Sequence, residues 1–169
     1  AVVEKRGAAV LLPAPPGSGK STLCAALVLR GWRLLSDELA LYDPETHQVY
    51  GMARPINLKN RSIDVIRAFE PSVVMTDPVR DTSKGTVALL RPPSASVRHA
   101  REPADARHIV FPRFVPGAPA ELTGMRKAQA CMAIAEQAFN YDVLGRSGFD
   151  AVTGMRKAQA CMAIAEQAF

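Results

Sequence analysis

The chain has few cysteines and lacks any long apolar run. Only three of its 169 residues are cysteine, namely Cys24, Cys131 and Cys161, and this number predicts reduced, buried thiols rather than a disulfide framework. No segment approaches the roughly 18 consecutive apolar residues of a membrane span, and no charged segment followed by an apolar core marks a signal peptide. We therefore expect a cytoplasmic protein without a membrane span.

The charges of the chain are not clustered either. The formal net charge is +5, but the basic residues are scattered along the sequence, so a nucleic-acid-binding surface is not expected. The three histidines, His47, His99 and His108, are too far apart in the sequence to predict a metal site. A mildly basic balance is what a phosphate-binding domain is expected to have.

A glycine-rich motif is the most informative feature that the sequence contains. Residues 12–22 read LPAPPGSGKST. The preceding apolar segment, residues 7–12, predicts a short buried strand, and residues 21–30 predict a helix that ends at Gly31. The motif therefore lies at a helix N-terminus, where unpaired N–H groups and the helix dipole bind phosphate.

The motif predicts ATP and Mg²⁺ as ligands. We expect Lys20 to reach the β- and γ-phosphates and the Ser21 hydroxyl to bind Mg²⁺. The residues predicted to bind the nucleotide phosphates are Gly17, Ser18, Gly19, Lys20, Ser21 and Thr22. Ala14 occupies the position of the first glycine of the usual motif, which is tolerable if its φ stays negative. Pro15 and Pro16 follow it and have no N–H to donate.

Two adjacent carboxylates follow the motif at short spacing. Asp37 lies seventeen positions after Lys20, on a strand predicted over residues 32–43. At the carboxyl end of a neighbouring strand, a carboxylate can hold Mg²⁺ or accept the proton of an attacking hydroxyl. We expect Asp37 to share a face with apolar neighbours, which are Leu35, Leu39 and Leu41. Glu38 is expected on the opposite face unless the strand bends.

The remaining sequence predicts that residues 1–150 form one domain with a mixed α/β fold. Strand 32–43 is followed by a turn and a second strand at 48–53, which together form a hairpin. A short helix begins near Asn60 or Ser62 and ends before Pro71. Further strands are predicted at 73–75, 85–90 and 108–111, and the proline-rich stretch 91–106 is predicted to be a surface loop or flap. The first residue is not Met and lies just before the 7–12 strand, so we expect a truncated domain without a flanking strand upstream.

The sequence resembles the HprK-related kinase A family, relatives of HPr serine kinase/phosphatase. The resemblance covers most of residues 1–150 and is carried by residues 11–43 and by the segments ARPINLKNRSIDVI, DTSKGTVALLRPP, HIVFPRF and FNYDVLGRSGF. It implies a P-loop kinase core of the type found in the HPr kinase C-terminal domain: a mixed sheet, a β-hairpin after the P-loop helix, and C-terminal helices.

The resemblance also implies roles for individual residues. Lys20 and Ser21 would bind phosphate and Mg²⁺, and Asp37 would be the first member of an acidic pair that acts as acid and base. Glu38 stands where the family has a second aspartate. HPr kinases also use a histidine upstream of the loop, and no histidine precedes Lys20 in this sequence.

Three basic residues are candidates for neutralising the transferred phosphoryl group. They are Arg54, Lys59 and Lys84. The acceptor of that group is not specified by the sequence, and a protein serine or a small molecule would serve. A homo-oligomer is left open.

An identical 17-residue segment occurs twice near the end of the chain. Residues 123–139 and 153–169 both read TGMRKAQACMAIAEQAF, which indicates a very recent duplication or an error in assembling the sequence. Each copy predicts an amphipathic helix with one apolar face, formed by Met125, Ala128, Met132, Ala135 and Phe139 in the first copy. Residues 151–169 are therefore set apart from the 1–150 domain, and we expect residues 153–169 to be dispensable for nucleotide binding.

Two alternatives to a kinase of the HPr type stay open. A small-molecule kinase of the shikimate or gluconate kind would also place an aspartate after the loop, although the predicted hairpin argues against it. A regulatory module that binds ATP without transferring its phosphate is the other alternative, and the residues Ala14 and Glu38 favour it.

Overall fold

The computed structural model describes residues 1–155 and 159–165, which form eleven strands and six helices. The strands are β1 (Val2–Lys5), β2 (Ala8–Leu11), β3 (Arg33–Ser36), β4 (Leu41–Asp43), β5 (Gln48–Tyr50), β6 (Ile56–Lys59), β7 (Val79–Thr82), β8 (Gly85–Leu90), β9 (Ala104–Phe114), β10 (Glu121–Gly124) and β11 (Gln159–Ala165). The helices are α1 (Lys20–Leu29), α2 (Arg61–Phe69), α3 (Ser94–Arg98), α4 (Lys127–Ala135), α5 (Tyr141–Leu144) and α6 (Arg146–Gly154). The prediction of an α/β chain with a mixed sheet is confirmed.

The main sheet has the strand order β10-β11-β9-β2-β1-β3, and the β4–β5 hairpin joins it through β5 and β9. Its centre is parallel, since β9 pairs in parallel with both β2 and β11, whereas β1 is antiparallel to β2 and β3. The expectation that no strand precedes β2 is wrong. The apolar residues Val2 and Val3 are fully buried, so the first residues of the chain have the composition of an internal strand.

A second sheet, β6-β8-β7, lies next to the helices α1 and α2. Ile56 and Leu58 of β6 are fully buried together with Ile66 of α2. The predicted helix near Asn60 is confirmed as α2, but Asn60 does not cap it through its side chain. Instead, Asn60 Oδ1 accepts a hydrogen bond of 3.0 Å from the Thr86 N–H, so this side chain joins β8 to the start of the helix.

Two apolar clusters form the core. The first lies between α1, α2 and the sheets and contains Val3, Val10, Leu12, Cys24, Leu34, Ile56, Leu58, Ile63, Ile66 and Leu90. The second lies among β2, β3, β5 and β9 and contains Val2, Ala9, Leu11, Leu35, Val49, Ala104, Ala106 and Ile109. Because neighbouring residues of β1, β2 and β3 alternate between these clusters, both faces of the sheet are covered at its centre.

The predicted strand over 32–43 is wrong, since it breaks after Ser36. The Ser36 hydroxyl oxygen accepts hydrogen bonds from the backbone N–H groups of Glu38 and Leu39, at 3.3 Å and 3.2 Å. Such a turn competes with strand pairing. Leu39 and Leu41 are exposed rather than buried on a face shared with Asp37. The β4–β5 hairpin is confirmed, with Leu41 paired to Tyr50 and Asp43 to Gln48.

The stretch 91–106 is not a free flap. It contains α3 and the first residues of β9, and Ser96 of α3 is buried. Ser96 Oγ accepts a hydrogen bond of 2.9 Å from the Leu34 N–H of β3. Arg33 donates to the carbonyl oxygens of His99 and Glu102, at 2.7 Å and 2.8 Å. The strand predicted at 73–75 is also absent, and only Met75 forms an isolated bridge there, to Leu90.

The two identical segments adopt different structures. In the first, residues 127–135 form α4, and in the second, residues 159–165 form β11 between β9 and β10. The predicted apolar helix face is wrong for the first copy, because Met132 and Phe139 are exposed and Ala130 is the buried residue. The predicted helix is wrong for the described part of the second copy, which is a strand of the main sheet.

None of the helices in the described parts of the chain has the length and apolarity that crossing a bilayer requires.

The hydrogen bond between β3 and α3 can be tested by mutation of Ser96. Replacement Ser96→Ala removes the acceptor of the Leu34 N–H and leaves that buried donor unpaired, so the free energy of unfolding should fall by about 1–3 kcal/mol in urea titrations. The matched control Ser94→Ala changes an exposed residue of the same helix and should stay within about 0.5 kcal/mol of the parent. Equal stability of both variants would contradict the docking of α3.

Candidate functional site

The glycine-rich loop, residues 13–19, connects β2 to α1. Gly17 and Gly19 have φ values of 85° and 86°, in the left-handed region that costs a residue with a Cβ atom about 1–2 kcal/mol. The Ser18 N–H donates to the Pro15 carbonyl oxygen at 3.4 Å, which folds the loop back on itself. The glycines therefore serve the backbone path that carries the chain from the sheet into the helix.

The start of α1 is open to a ligand. No side chain caps this helix, and no acidic residue lies in its first turn. The first hydrogen bond back to Gly19 is donated by the Leu23 N–H, at 2.9 Å, so the N–H groups of Lys20, Ser21 and Thr22 have no carbonyl partner within the helix. Together with the positive end of the helix dipole, these donors can bind an anion.

The end of β9 supports the loop from outside. The Phe114 N–H donates to the Ser18 carbonyl oxygen at 3.1 Å. A Cβ atom added to Gly19 would lie 3.4 Å from Phe114 Cβ, so Gly19 also serves the close approach of this strand. No local pattern in the sequence predicts this contact, because β9 lies about a hundred residues after the loop.

Ala14 fits the position that a glycine usually occupies. Its φ is negative and its side chain is buried, as the tolerance of alanine at this position requires. Pro15 and Pro16 are exposed at the outer side of the loop. The N–H groups that can face a ligand are therefore those from Gly17 onward.

Strand β1 places the glycine-rich loop and Asp37 at the same edge of the sheet. Because β1 is antiparallel to β2 and to β3, these two strands run in the same direction and end together. Ala1 exchanges backbone hydrogen bonds with Leu12, just before the loop, and Val2 lies opposite Ser36, just before Asp37. With one strand between them, the ends of β2 and β3 are about 10 Å apart.

Asp37 is a buried carboxylate with a single hydrogen bond among the described residues. Its exposed fraction is 4 %, and its Oδ2 accepts a hydrogen bond of 3.1 Å from the Asn57 N–H of β6. Its Oδ1 has no partner. Burial of a carboxylate is unfavourable unless its oxygens are bound, so this position is one where a ligand would be stabilised.

A cavity of about 200 Å³ opens beside Asp37. Its lining residues are Ser36, Asp37, Glu38, Leu39, Met52, Arg54, Pro55, Asn57 and Leu89. Three predicted site residues, Asp37, Glu38 and Arg54, therefore meet here. Glu38 does not point to the other face of a regular strand, because the turn at Ser36 ends the strand and brings both carboxylates to one cavity. Glu38 and Arg54 are exposed at this cavity.

Asn57 is a member of the site that the sequence did not reveal as functional. Its Oδ1 is buried, lines the same cavity as Asp37 and has no hydrogen-bond partner among the described residues. The position lies in the segment that follows Arg54, but only the pairing of β6 with β8 shows where it is. The sequence carries no local signal for this role, because the contact between Asn57 and Asp37 depends on how β6 folds against the end of β3.

Three buried side-chain polar atoms have no hydrogen-bond partner in the described part of the chain, and all three belong to this region. They are Ser18 Oγ of the glycine-rich loop, Asp37 Oδ1 and Asn57 Oδ1. Each such atom costs about 1–3 kcal/mol of stability relative to a paired one. Their concentration at one edge of the sheet indicates a site that is shaped for a ligand rather than for stability.

The Cys24 thiol is fully buried in the first apolar cluster. Burial raises the pKa of this thiol to about 12, and the Asp37 carboxylate adds to this effect. Cys24 is therefore a protonated core residue. All three cysteines are free, but the predicted burial is wrong for Cys131 and Cys161, which are partly exposed.

The structure does not bring the lysines at the other end of the second sheet to this cavity. Lys84 lies in the turn between β7 and β8, five residues before Leu89, which lines the cavity. At about 3.4 Å per residue, the distance along the strand is roughly 17 Å. Lys59 does not line the cavity either, although it lies only two residues after Asn57 on the same face of β6, about 7 Å along the strand.

The oxygen donors near the loop fit a hard cation such as Mg²⁺. No group of three or more His, Cys, Asp or Glu side chains with ligand geometry exists within residues 1–155 and 159–165. Mg²⁺ does not need such a group, because it is usually bound by one or two protein oxygens together with phosphates and water. Ser21 and Asp37, which were predicted as ligands, and Asn57 offer such oxygens.

Comparison with known proteins adds no relative: no family model matches the chain, and neither the curated proteins nor the solved structures contain a significant match.

The poor hydrogen bonding of Asp37 leads to a stability prediction. Asp37→Asn removes a buried charge and keeps an oxygen for the Asn57 N–H, so the free energy of unfolding should stay the same or rise by about 1 kcal/mol. By contrast, Ser36→Ala removes the acceptor of two N–H groups and should lower it by about 1 kcal/mol. Thermal and urea unfolding measure both effects. A loss of stability in Asp37→Asn larger than in Ser36→Ala would indicate a structural role for the carboxylate.

Proposed function

We propose that this chain is an ATP-dependent kinase that transfers the γ-phosphoryl group to a hydroxyl acceptor. The observation that carries the proposal is the grouping of the unpaired buried oxygens of Ser18, Asp37 and Asn57 around the end of β2 and β3. A phosphate group can accept a hydrogen bond from the Ser18 hydroxyl, and a hydroxyl acceptor or a cation can bind the Asp37 and Asn57 oxygens.

Phosphate binding is assigned to the glycine-rich loop and the start of α1. The N–H groups of Lys20, Ser21 and Thr22 have no partner within the helix and are available to phosphate oxygens. The Lys20 ammonium adds a positive charge at the same end of the helix, where it would balance the charge of the β- and γ-phosphates. Gly17 and Gly19 allow the backbone to approach the phosphates closely.

Asp37 is assigned the transfer step. Mg²⁺, bound by Ser21 and the nucleotide phosphates, would neutralise charge on the transferred group, while Asp37 accepts the proton. The oxygen of the acceptor hydroxyl forms a bond to the γ-phosphorus while the bond from that phosphorus to the β,γ-bridging oxygen breaks. ADP leaves with that oxygen, and the hydroxyl proton passes to the Asp37 carboxylate. Arg54, at the mouth of the cavity, would stabilise the negative charge of the transferred group.

The same residues support a proposed relationship to the HprK-related kinase A family. In that relationship the main sheet, the loop and α1 are the P-loop kinase core, and β4 and β5 are the hairpin after the P-loop helix. The hairpin also argues against a small-molecule kinase of the shikimate or gluconate kind, in which a helix would follow that strand. The exposure of Glu38 favours the other alternative, a regulatory module that binds ATP without transferring phosphate.

Removal of the loop lysine tests nucleotide binding. Lys20→Ala should abolish binding of Mg²⁺-ATP in calorimetry, because it removes the positive charge at the start of α1. The matched control Lys84→Ala removes an exposed lysine that lies far along β8 from the cavity and should keep the parent affinity. Unchanged affinity in a folded Lys20→Ala protein would mean that the loop is a structural turn, and the proposal would fail.

Removal of the proposed base tests the transfer step. Asp37→Asn should lower phosphoryl transfer by at least about 100-fold, the usual scale for the loss of a positioned general base, while Mg²⁺-ATP affinity changes little. Transfer is measured with γ-labelled ATP and a cell extract that contains the acceptor, and Asp64→Asn, on the exposed side of α2, is the control.

The pair of measurements distinguishes the alternatives. A regulatory module binds ATP but labels no acceptor with either protein. An aspartate that holds Mg²⁺ without acting as base loses Mg²⁺-ATP affinity together with transfer. If Asp37→Asn transfers phosphate as fast as the parent, Asp37 is not the base, and Glu38→Gln becomes the variant to examine.

A further inference from the structure

The heptapeptide QACMAIA occurs twice in the chain with two different structures. Residues 129–135 lie within the helix α4, and residues 159–165 form the strand β11. Because the two heptapeptides are identical and lie within identical 17-residue segments, their intrinsic helix and strand propensities are the same. Only the surroundings of each copy determine its structure.

The surroundings of β11 are a slot between β9 and β10. On one side, β11 pairs in parallel with β9 over seven residues, from Gln159 opposite His108 to Ala165 opposite Phe114. On the other side, it pairs antiparallel with β10 over four residues. These contacts include backbone hydrogen bonds, which any copy of the same heptapeptide can form equally well.

The first copy makes few core contacts in its helical form. Of its residues in α4, only Ala130 is buried, and Met132 is 67 % exposed. Ile134 packs at the margin of the second apolar cluster, and Cys131 Sγ lies 4.0 Å from the Val152 carbonyl oxygen of α6. The helix therefore loses little apolar burial if residues 129–135 leave it.

The connection to β10 favours the first copy over the second. In the observed register Gly124 of β10 lies opposite Cys161. The equivalent residue of the first copy, Cys131, follows Gly124 by only seven positions. Residues 125–128 would therefore connect β10 to a strand at 129–135 that runs in the correct antiparallel direction. The loop from Gly124 to Cys131 is much shorter than the loop from Gly124 to Cys161, so closing it costs less entropy. This difference raises the equilibrium constant for pairing the first copy with β10 by a factor of about ten.

We propose that the slot between β9 and β10 is a binding site for the heptapeptide and that residues 129–135 of the same chain exchange with β11 in it. In the exchanged state, residues 129–135 form the strand in the register that β11 now has, and α4 unwinds. The occupant is this segment of the chain itself, because it carries the same sequence, lies directly after β10 and has little to lose from leaving its helix. The exchange is independent of the proposed kinase function.

Disulfide trapping tests the exchange. The Met125 N–H donates to the Ala160 carbonyl oxygen at 2.9 Å, so positions 124 and 161 form the adjacent non-hydrogen-bonded pair, in which Cα atoms are about 4.5 Å apart, within disulfide range. A Cβ atom at Gly124 meets no atom within 4 Å. Gly124→Cys with Cys131→Ser should therefore form a disulfide with Cys161 under mild oxidation, and this variant reports the observed strand.

The second variant reports the exchanged strand. Gly124→Cys with Cys161→Ser should form an intramolecular disulfide with Cys131, at a rate no more than about 100-fold slower than the first variant. The control protein carries Gly124→Cys, Cys131→Ser and Cys161→Ser, and Met132→Cys supplies its second cysteine in place of Cys131. A shift of one residue places the side chain on the opposite face of the strand, so the disulfide should form at least about tenfold more slowly.

Mass spectrometry of non-reduced tryptic peptides identifies each disulfide. Formation at position 131 but not at position 132 supports the exchange, because a flexible helix would let both positions react. Equal rates at the two positions, no disulfide at Cys131 while the Cys161 reporter reacts, or a disulfide only between two chains would each overturn the proposal. Nucleotide binding does not enter any of these outcomes.

Discussion

Pairing of strand β1 with β2 on one side and β3 on the other is the interaction on which the candidate site depends. These three strands end at one edge of the sheet, with the glycine-rich loop after β2 and Asp37 after β3. Without β1, no strand would connect β2 to β3 and hold the loop close to the Asp37 carboxylate. With it, they are held about 10 Å apart by two rows of backbone hydrogen bonds.

The chain places unfavourable polar groups at this edge and favourable apolar contacts elsewhere. The two apolar clusters cover both faces of the sheet centre, whereas the unpaired oxygens of Ser18, Asp37 and Asn57 lie where the strands end. A protein selected for stability alone would satisfy or replace such groups. Ser18 lies in the loop before the open start of α1, and Asp37 and Asn57 line the cavity after β3, so the cost falls at the candidate ligand-binding site.

Local signals in the sequence were sufficient to predict the loop, α1, the β4–β5 hairpin and α2, since each has its own glycine, turn or apolar pattern. They were not sufficient where a distant contact decides the structure. The turn at Ser36 broke a segment whose apolar pattern predicted one long strand. Asn57 became part of the site only through its position beside Asp37. Residues 159–165 could not be predicted at all, because the identical heptapeptide forms a helix in the first copy.

The most direct measurement of the central claim, that the loop and Asp37 form one nucleotide site, is a crystal structure with Mg²⁺ and a non-hydrolysable ATP analogue. The account predicts phosphates bound by the N–H groups of the loop from Gly17 onward and of Lys20, Ser21 and Thr22, with the terminal phosphate facing the cavity beside Asp37 and Asn57. A nucleotide bound elsewhere, or phosphates at the loop with the terminal phosphate directed away from Asp37, would contradict it.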